Sequence, residues 1–240
     1  MPFVHGKAAS ILFGAVDLSS IFKGADFATD VDVADTSTFG FNYKTMLAGQ
    51  GSSTLELDGF YDIPLSANLR NHLFVAPAPA TFGPGGLAVG DLARLIAVHE
   101  TNYTESAAIG DAVLATASLQ SDAEVGFGVS LRAPSAVAVT ATGNGTSVDQ
   151  AVAVTGATWV FHAHVFTASG TTPSLTLKIQ DSADNSSFAD VTGATTTAFT
   201  AAGSARVTGT GTIRRYVRVV HTLSGTTPSF TYSAAFSRRA

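Results

Sequence analysis

His162 and His164 stand two apart in an alternating stretch, so an extended strand would point both imidazoles the same way, as a metal pair requires, with His221 on a neighbouring strand. A zinc-type site also needs a third ligand and carboxylates behind the imidazoles, and none lies nearby in sequence. Surface or interface histidines are therefore the preferred reading. Asp30 and Asp32 have the spacing of a carboxylate pair for acid–base work or a Ca²⁺ site. No metal-binding loop surrounds them, and the acidic solvent face of a strand accounts for both. Thr208-Gly209-Thr210-Gly211-Thr212 has glycines but neither the strand–helix context nor the following Lys of a phosphate cradle. No G-x-S-x-G elbow, P-loop or dinucleotide fingerprint occurs. The chain has no cysteine, which excludes thiol catalysis, disulfides, iron–sulfur clusters and Cys-zinc sites. The expectation is no enzyme, no cofactor and no metal.

Two other groups could make contacts. Arg214-Arg215-Tyr216-Val217-Arg218, together with Trp159, forms a candidate exterior surface for an anionic polymer or a sugar; charges guarding strand edges are the alternative. Phe39, Phe41, Tyr43 and Met46 follow a hydrophilic strand without helical periodicity. A protruding arm that buries them in another subunit explains this, with an ordinary core hairpin as the alternative.

The elements that position these residues are mostly strands. From Asp26 to Asp35, Phe27, Val31 and Val33 fall on one face and Asp26, Asp30 and Asp32 on the other. Thr54–Tyr61 repeats this, with Leu55 and Leu57 opposed to Glu56 and Asp58. One helix is expected, Ser66 capping Ala67–Val75, stopped by Pro77 and Pro79. Short strands follow at Leu92–Thr101, Ala112–Leu119 and Glu124–Leu131. Further on, Ser169-Gly170-Thr171-Thr172-Pro173-Ser174 returns as Ser224-Gly225-Thr226-Thr227-Pro228-Ser229, which reads as two similar hairpins sharing a core. The fold class is mainly β: an N-terminal sandwich or barrel with one flanking helix, then a C-terminal antiparallel sandwich of immunoglobulin or jelly-roll kind.

Charged residues are only 13% of the 240, and net charge is −5, but residues 1–132 carry −8 and residues 133–240 carry +3. The excess of acid argues against nucleic-acid binding by counterion release in the first part. The uncharged, small-residue stretch 133–148 marks a linker, dividing the chain into 1–132 and 149–240. No apolar run is long enough for a membrane-spanning helix, and no secretory signal is apparent, so the sequons at Asn102, Asn144 and Asn185 carry little weight.

His5-Gly6-Lys7, Val16-Asp17-Leu18-Ser19, Asp35-Thr36-Ser37-Thr38-Phe39-Gly40, Tyr43-Lys44, Thr54–Asp62 with Gly59, and Gly83-Pro84-Gly85-Gly86 before Gly90-Asp91 occur in one order across residues 3–132. In these motifs the chain resembles the major tail tube proteins of long, non-contractile-tailed (siphovirus) bacteriophages, particularly those infecting actinobacteria. The resemblance implies a structural virion protein, assembled in the host cytoplasm, whose hexameric rings stack into a tube through which the genome is ejected. Its partners would be itself, the tail proteins at the tube ends and double-stranded DNA in passage. Asp26, Asp30, Asp32, Glu56 and Asp58 would then line an acidic lumen, and Phe39, Phe41, Tyr43 and Met46 would form the inter-subunit arm. Residues 149–240 look like an exterior accessory domain, with Trp159, Arg214, Arg215 and Arg218 facing a host-surface glycan. Ile179–Val191 and Arg215–Arg218 are also similar to discoidin-like carbohydrate-binding jelly rolls, although Phe188 stands where Trp is usual. The alternative is a stand-alone adhesion or carbohydrate-binding β-sandwich protein.

Overall fold

The computed structural model describes residues 6–38, 43–73 and 75–240. After a 3₁₀ turn at Gly6–Ala8, the chain runs through β1 (Ser10–Phe13), β2 (Val16–Asp17), β3 (Phe22–Asp35), β4 (Met46–Phe60) and α1 (Ile63–His72). Next come β5 (Ala78–Gly83), β6 (Leu92–Ser106), β7 (Leu114–Ser121), β8 (Gly126–Arg132), β9 (Gly143–Asn144) and β10 (Val148–Asp149). It ends with β11 (Val154–Ser182), β12 (Ala189–Thr195), β13 (Gly203–Ile213) and β14 (Tyr216–Arg239). The mainly-β expectation holds, and every described strand pairing is antiparallel.

The compact units are not divided near residue 133. One comprises residues 1–20, 78–97 and 125–240, the other 21–77 and 98–124. The physical reason is strand pairing: β8, at the end of the expected first domain, pairs with the far end of β14. The stretch expected as a linker is also fixed along β14. Val139 exchanges two backbone hydrogen bonds with Phe230, and β9 and β10 pair with Val220–His221 and Tyr216–Val217.

The larger unit is built on β11 and β14, which pair from Thr158↔Arg239 to Ser182↔Tyr216. The repeated hexapeptides are not two separate hairpin turns. They meet each other at the middle of this pair, Ser169 opposite Ser229 and Thr171 opposite Thr226, about a local pseudo-twofold. Positive φ at Gly170, Thr172, Gly225 and Thr227 breaks the regular ladder there. Trp159, Phe161 and Val165 from one side of this break and Leu175, Leu177 and Ile179 from the other enter one buried cluster with Phe230, Tyr232 and Phe236. A ribbon folded over at its kink produces that arrangement, a sandwich in which the same strands serve both layers. The opposite face of β11 and β14 is covered as well: Val160, Phe166 and Ala235 pack with Leu12, Leu87, Ala93 and Leu95.

The smaller unit is an antiparallel meander, β3–β4–β7–β6, with α1. Alternation places Leu55 and Leu57 inside with Ala115, Ala117 and Leu119, while Glu56, Asp58 and Phe60 stay exposed. Gly59 permits the close crossing of β3, since a Cβ there would lie 2.3 Å from the Ile21 carbonyl oxygen. The helix starts four residues before the expected cap. Asp62 accepts a hydrogen bond from Leu65 N–H at 3.2 Å, Pro64 occupies the first turn, and Ser66 is buried within the helix, its hydroxyl oxygen accepting from the Asp62 N–H at 3.2 Å. Among the described residues no helix is long and apolar enough to cross a membrane.

Candidate functional site: an amphipathic β-ribbon

β4 pairs with β7 only over Thr54–Phe60, whereas its pairing with β3 continues to Asp35↔Met46. Beyond Thr54 the two strands therefore run on as a two-stranded ribbon. The register puts Asp26 directly opposite Glu56, so the two acidic faces read separately from the sequence are one face of one sheet. Asp30 lies farther out on it opposite Ser52, and Asp32 sits at a register shift. Asp58 is held by Lys23 at 3.3 Å, and Glu56 accepts from the Ser118 hydroxyl at 2.5 Å. Asp26, Asp30 and Asp32 are exposed, and among the described residues no cation pairs with them. Like charges opposite one another oppose sheet formation, so this face is not explained by the stability of a single chain.

The other face begins in the core. Phe27, opposite the buried Leu55, is half-buried, and a 2.9 Å contact between the Thr29 and Ser53 hydroxyls closes the covered region. Farther out the face stays apolar and exposed: Val31 and Val33 are 52% and 62% exposed, Met46 53%. Leu47 (64%) and Tyr43 are exposed as well. Hydrogen bonding nonetheless continues along the ribbon, with Thr36 N–H donating to the Thr45 carbonyl at 2.8 Å and Ser37 N–H to the Asp35 carboxylate at 2.9 Å. Of the expected arm residues, Tyr43 and Met46 are solvent-facing; Phe39 and Phe41 lie outside the described residues.

The expected exterior group is not assembled as a contact surface. Trp159 is 2% exposed, its ring 6.3 Å from Phe236 in a stacked arrangement, because it points from β11 into the sandwich core. Arg214 is turned onto the buried Asp181 carboxylate, its Nε donating at 2.8 Å and its backbone N–H at 2.7 Å. Arg215 forms a paired contact with Asp149, which holds that carboxyl down at about 2. Arg218 donates to Gln180 at 2.7 Å and lies 3.9 Å over the Phe188 ring.

The histidines are neither a surface pair nor a metal pair. His162 and His164 are fully buried, because the returning segments of residues 1–20 and 78–97 cover the face of β11 that carries them. His164 Nδ1 lies 2.7 Å from the Gly14 carbonyl, which can only accept, so Nδ1 carries the proton and Nε2 accepts from the Thr81 hydroxyl at 2.8 Å. That leaves Thr81 Oγ1 to accept from His162 Nδ1 at 3.1 Å and leaves His162 Nε2 buried without a partner. Burial, followed by the charges of the neighbouring ring and Arg206, holds His162 well below its ordinary value, and burial brings His164 down to about 4. His221 is placed apart from them, 3.0 Å from the Tyr232 hydroxyl. Among the described residues no three metal-ligating side chains converge.

Sequence reasoning missed Glu100, which is buried on β6 with both carboxylate oxygens unpartnered; burial pushes it up to about 8. It also missed the exposed Leu92 and Phe127 around Arg94. Position in an alternating strand was the only available signal for either.

No family profile matches the sequence, and no curated relative does. Among solved structures, a chain from the virion of the native gene transfer agent (GTA) particle is similar at a TM-score of 0.44 and 13% identity, over 52% of this chain and 98% of its own. A chain from the tail of the empty GTA particle, with C6 symmetry, gives 0.43 and 10%, with the same coverage of 52% and 98%. The SPP1 Dit (gp 19.1) protein, a hub adsorption apparatus component of phages infecting Gram-positive bacteria, gives 0.37 and 12% over 97% of this chain and 99% of its own.

Proposed function

We propose that this chain is a structural protein of a phage-type tail, assembling with copies of itself as stacked hexameric rings into a tube. The observation that carries the reading is the β3–β4 ribbon, with exposed apolar side chains on one face and, on the other, Asp26, Asp30 and Asp32, which no cation pairs with among the described residues. An exposed apolar face is stabilised by association, and an acidic face left over after association suits a channel along which DNA must slide without being held. The ordered motifs of residues 3–132 support the same reading. Ring assembly thus falls to the ribbon, with Asp26, Asp30, Asp32, Glu56 and Asp58 toward the lumen. The β11–β14 sandwich takes the exterior, where Arg215 and Arg218 are the residues left to meet a host-surface glycan. The protein would assemble in the bacterial cytoplasm and reside in the virion.

The test is electron microscopy and sedimentation of the purified full chain over a concentration series. Hollow tubes are expected above a threshold concentration, and Val33→Asp should abolish them while leaving the circular dichroism spectrum intact. A wild-type chain that stays monomeric at every concentration overturns the reading and favours the stand-alone binding module.

A further inference from the structure

The larger unit carries a second exposed apolar surface, with a cation in it. Where β6 pairs with β8, Arg94 is opposite Phe127 and Leu92 opposite Val129, so Leu92, Arg94 and Phe127 are neighbours on one face. Leu92 is 60% exposed and Phe127 55%. The Arg94 guanidinium lies 4.8 Å over the Phe127 ring, and among the described residues no carboxylate pairs with it. Partial burial already disfavours its charge. A guanidinium spread on an exposed ring beside an exposed leucine has the composition of an interface centre, lacking only its anion.

The ribbon offers the complementary set. Its apolar face carries Val31 and Val33 and ends at Asp35, which is opposite Met46 in the register. The cation nearest the Asp35 carboxylate is Lys44, at 3.9 Å and itself largely exposed. One surface thus has apolar side chains with an unsatisfied cation, the other apolar side chains with a weakly held anion.

We propose that the ribbon of one copy docks on the β6–β8 patch of the next, Val33 and Met46 covering Leu92 and Phe127, and Asp35 taking the Arg94 guanidinium. This rests on the self-assembly reading and names its contact. Two different surfaces meeting head to tail repeat around a ring or along a helix, whereas a self-complementary contact would stop at a dimer. Docking through the apolar face also leaves Asp26, Asp30 and Asp32 free on the other. A pair such as Asp35 and Arg94, enclosed by apolar side chains, discriminates strongly between right and wrong partners.

The experiment is a charge exchange in the full chain, read by sedimentation velocity and electron microscopy. Arg94→Glu and Asp35→Arg should each raise the assembly threshold at least about tenfold, and the double variant should return to within about threefold of wild type. Circular dichroism establishes that each variant is folded, and Arg94→Gln, expected to give a smaller rise, replaces Arg94→Glu should that one unfold. If wild type assembles and the Arg94 variants assemble at its threshold, or the double variant fails to recover, the contact is overturned while self-assembly stands. If wild type never assembles, both fall.

Discussion

Mild acid should unfold the β11–β14 sandwich from within, and His162 and His164 are the trigger. Both imidazoles are buried and neutral in the folded chain, fixed between β11, β5, the β1–β2 turn and β13 by Thr81, the Gly14 carbonyl and the proximity of Arg206 and Asp17. Their folded affinities for protons are depressed, so the stability they carry is present above the ordinary value of 6.5 and is lost as pH falls below it. For His164 the loss is complete near its folded value of about 4. Each such proton costs about 1.4 kcal/mol per pH unit within the window, so His164 alone contributes about 2 kcal/mol of destabilisation by pH 5. His162, lowered well below 6.5, adds a second proton of the same sign as pH falls below that value. Against a total of about 5–15 kcal/mol for a domain, that is a large fraction.

The lowered carboxylates of the larger unit do not confuse this window, and Glu100, which does titrate across it, belongs to the other unit. Asp149, Asp184 and Asp190 all have lowered values, so their stabilisation is lost only as pH falls below the ordinary 3.8. The readout is equally selective, because Trp159 is the only tryptophan and stands in the core of the unit that holds the histidines. Urea denaturation followed by its fluorescence should show stability falling with a two-proton slope, about 2.7 kcal/mol per pH unit, between roughly pH 6 and pH 4.5. His221, whose value is also lowered by burial, steepens it slightly. In His162→Gln or His164→Gln the slope should drop by about half whatever the variant's stability at neutral pH. A slope unchanged in both variants would refute the argument.

Two further changes test the folds separately. Glu100 sits in the smaller unit with a raised value of about 8, so its effect has the opposite sign: stability is full below its ordinary 4.5 and falls as pH rises toward 8. Glu100→Gln should therefore stabilise that unit by roughly 2 kcal/mol at neutral pH and flatten the dependence, as measured by circular dichroism in urea. Gly170→Ala and Gly225→Ala place a Cβ 2.7 Å from the Thr227 carbonyl oxygen and 2.5 Å from that of Thr172, at φ of 117° and 106°. Each should cost about 2 kcal/mol or more in the Trp159-monitored transition, and a cost below about 0.5 kcal/mol would mean the kink is not held there.

Alternation carried the local reading well. It separated Asp26, Asp30 and Asp32 from Phe27, Val31 and Val33, and Leu55 and Leu57 from Glu56 and Asp58, and the register keeps those faces. What alternation does not encode is what lies above a face. His162 meets Thr81 across 81 residues and His164 meets Gly14 across 150, and no local feature of β11 distinguishes a strand covered on both sides from one covered on one side. Trp159 was misplaced for the same reason. The repeated Ser-Gly-Thr-Thr-Pro-Ser segments carry ordinary turn chemistry, and only their pairing with each other turns a hairpin reading into a mid-strand kink.

The ribbon shows how that blindness becomes useful. Val31 and Val33 continue the pattern that makes Leu55 and Leu57 core residues, but they lie past Thr54, where β7 stops pairing with β4. A single chain gains nothing by extending an apolar face beyond its own core, since exposed Val33 and Met46 favour aggregation and contribute little to folding. Their regular placement, with acid on the reverse face, is the feature on which the proposed contact with a second copy rests. If the proposed tube forms, a period-two pattern longer than the sheet that can bury it is what carries its contact in the sequence.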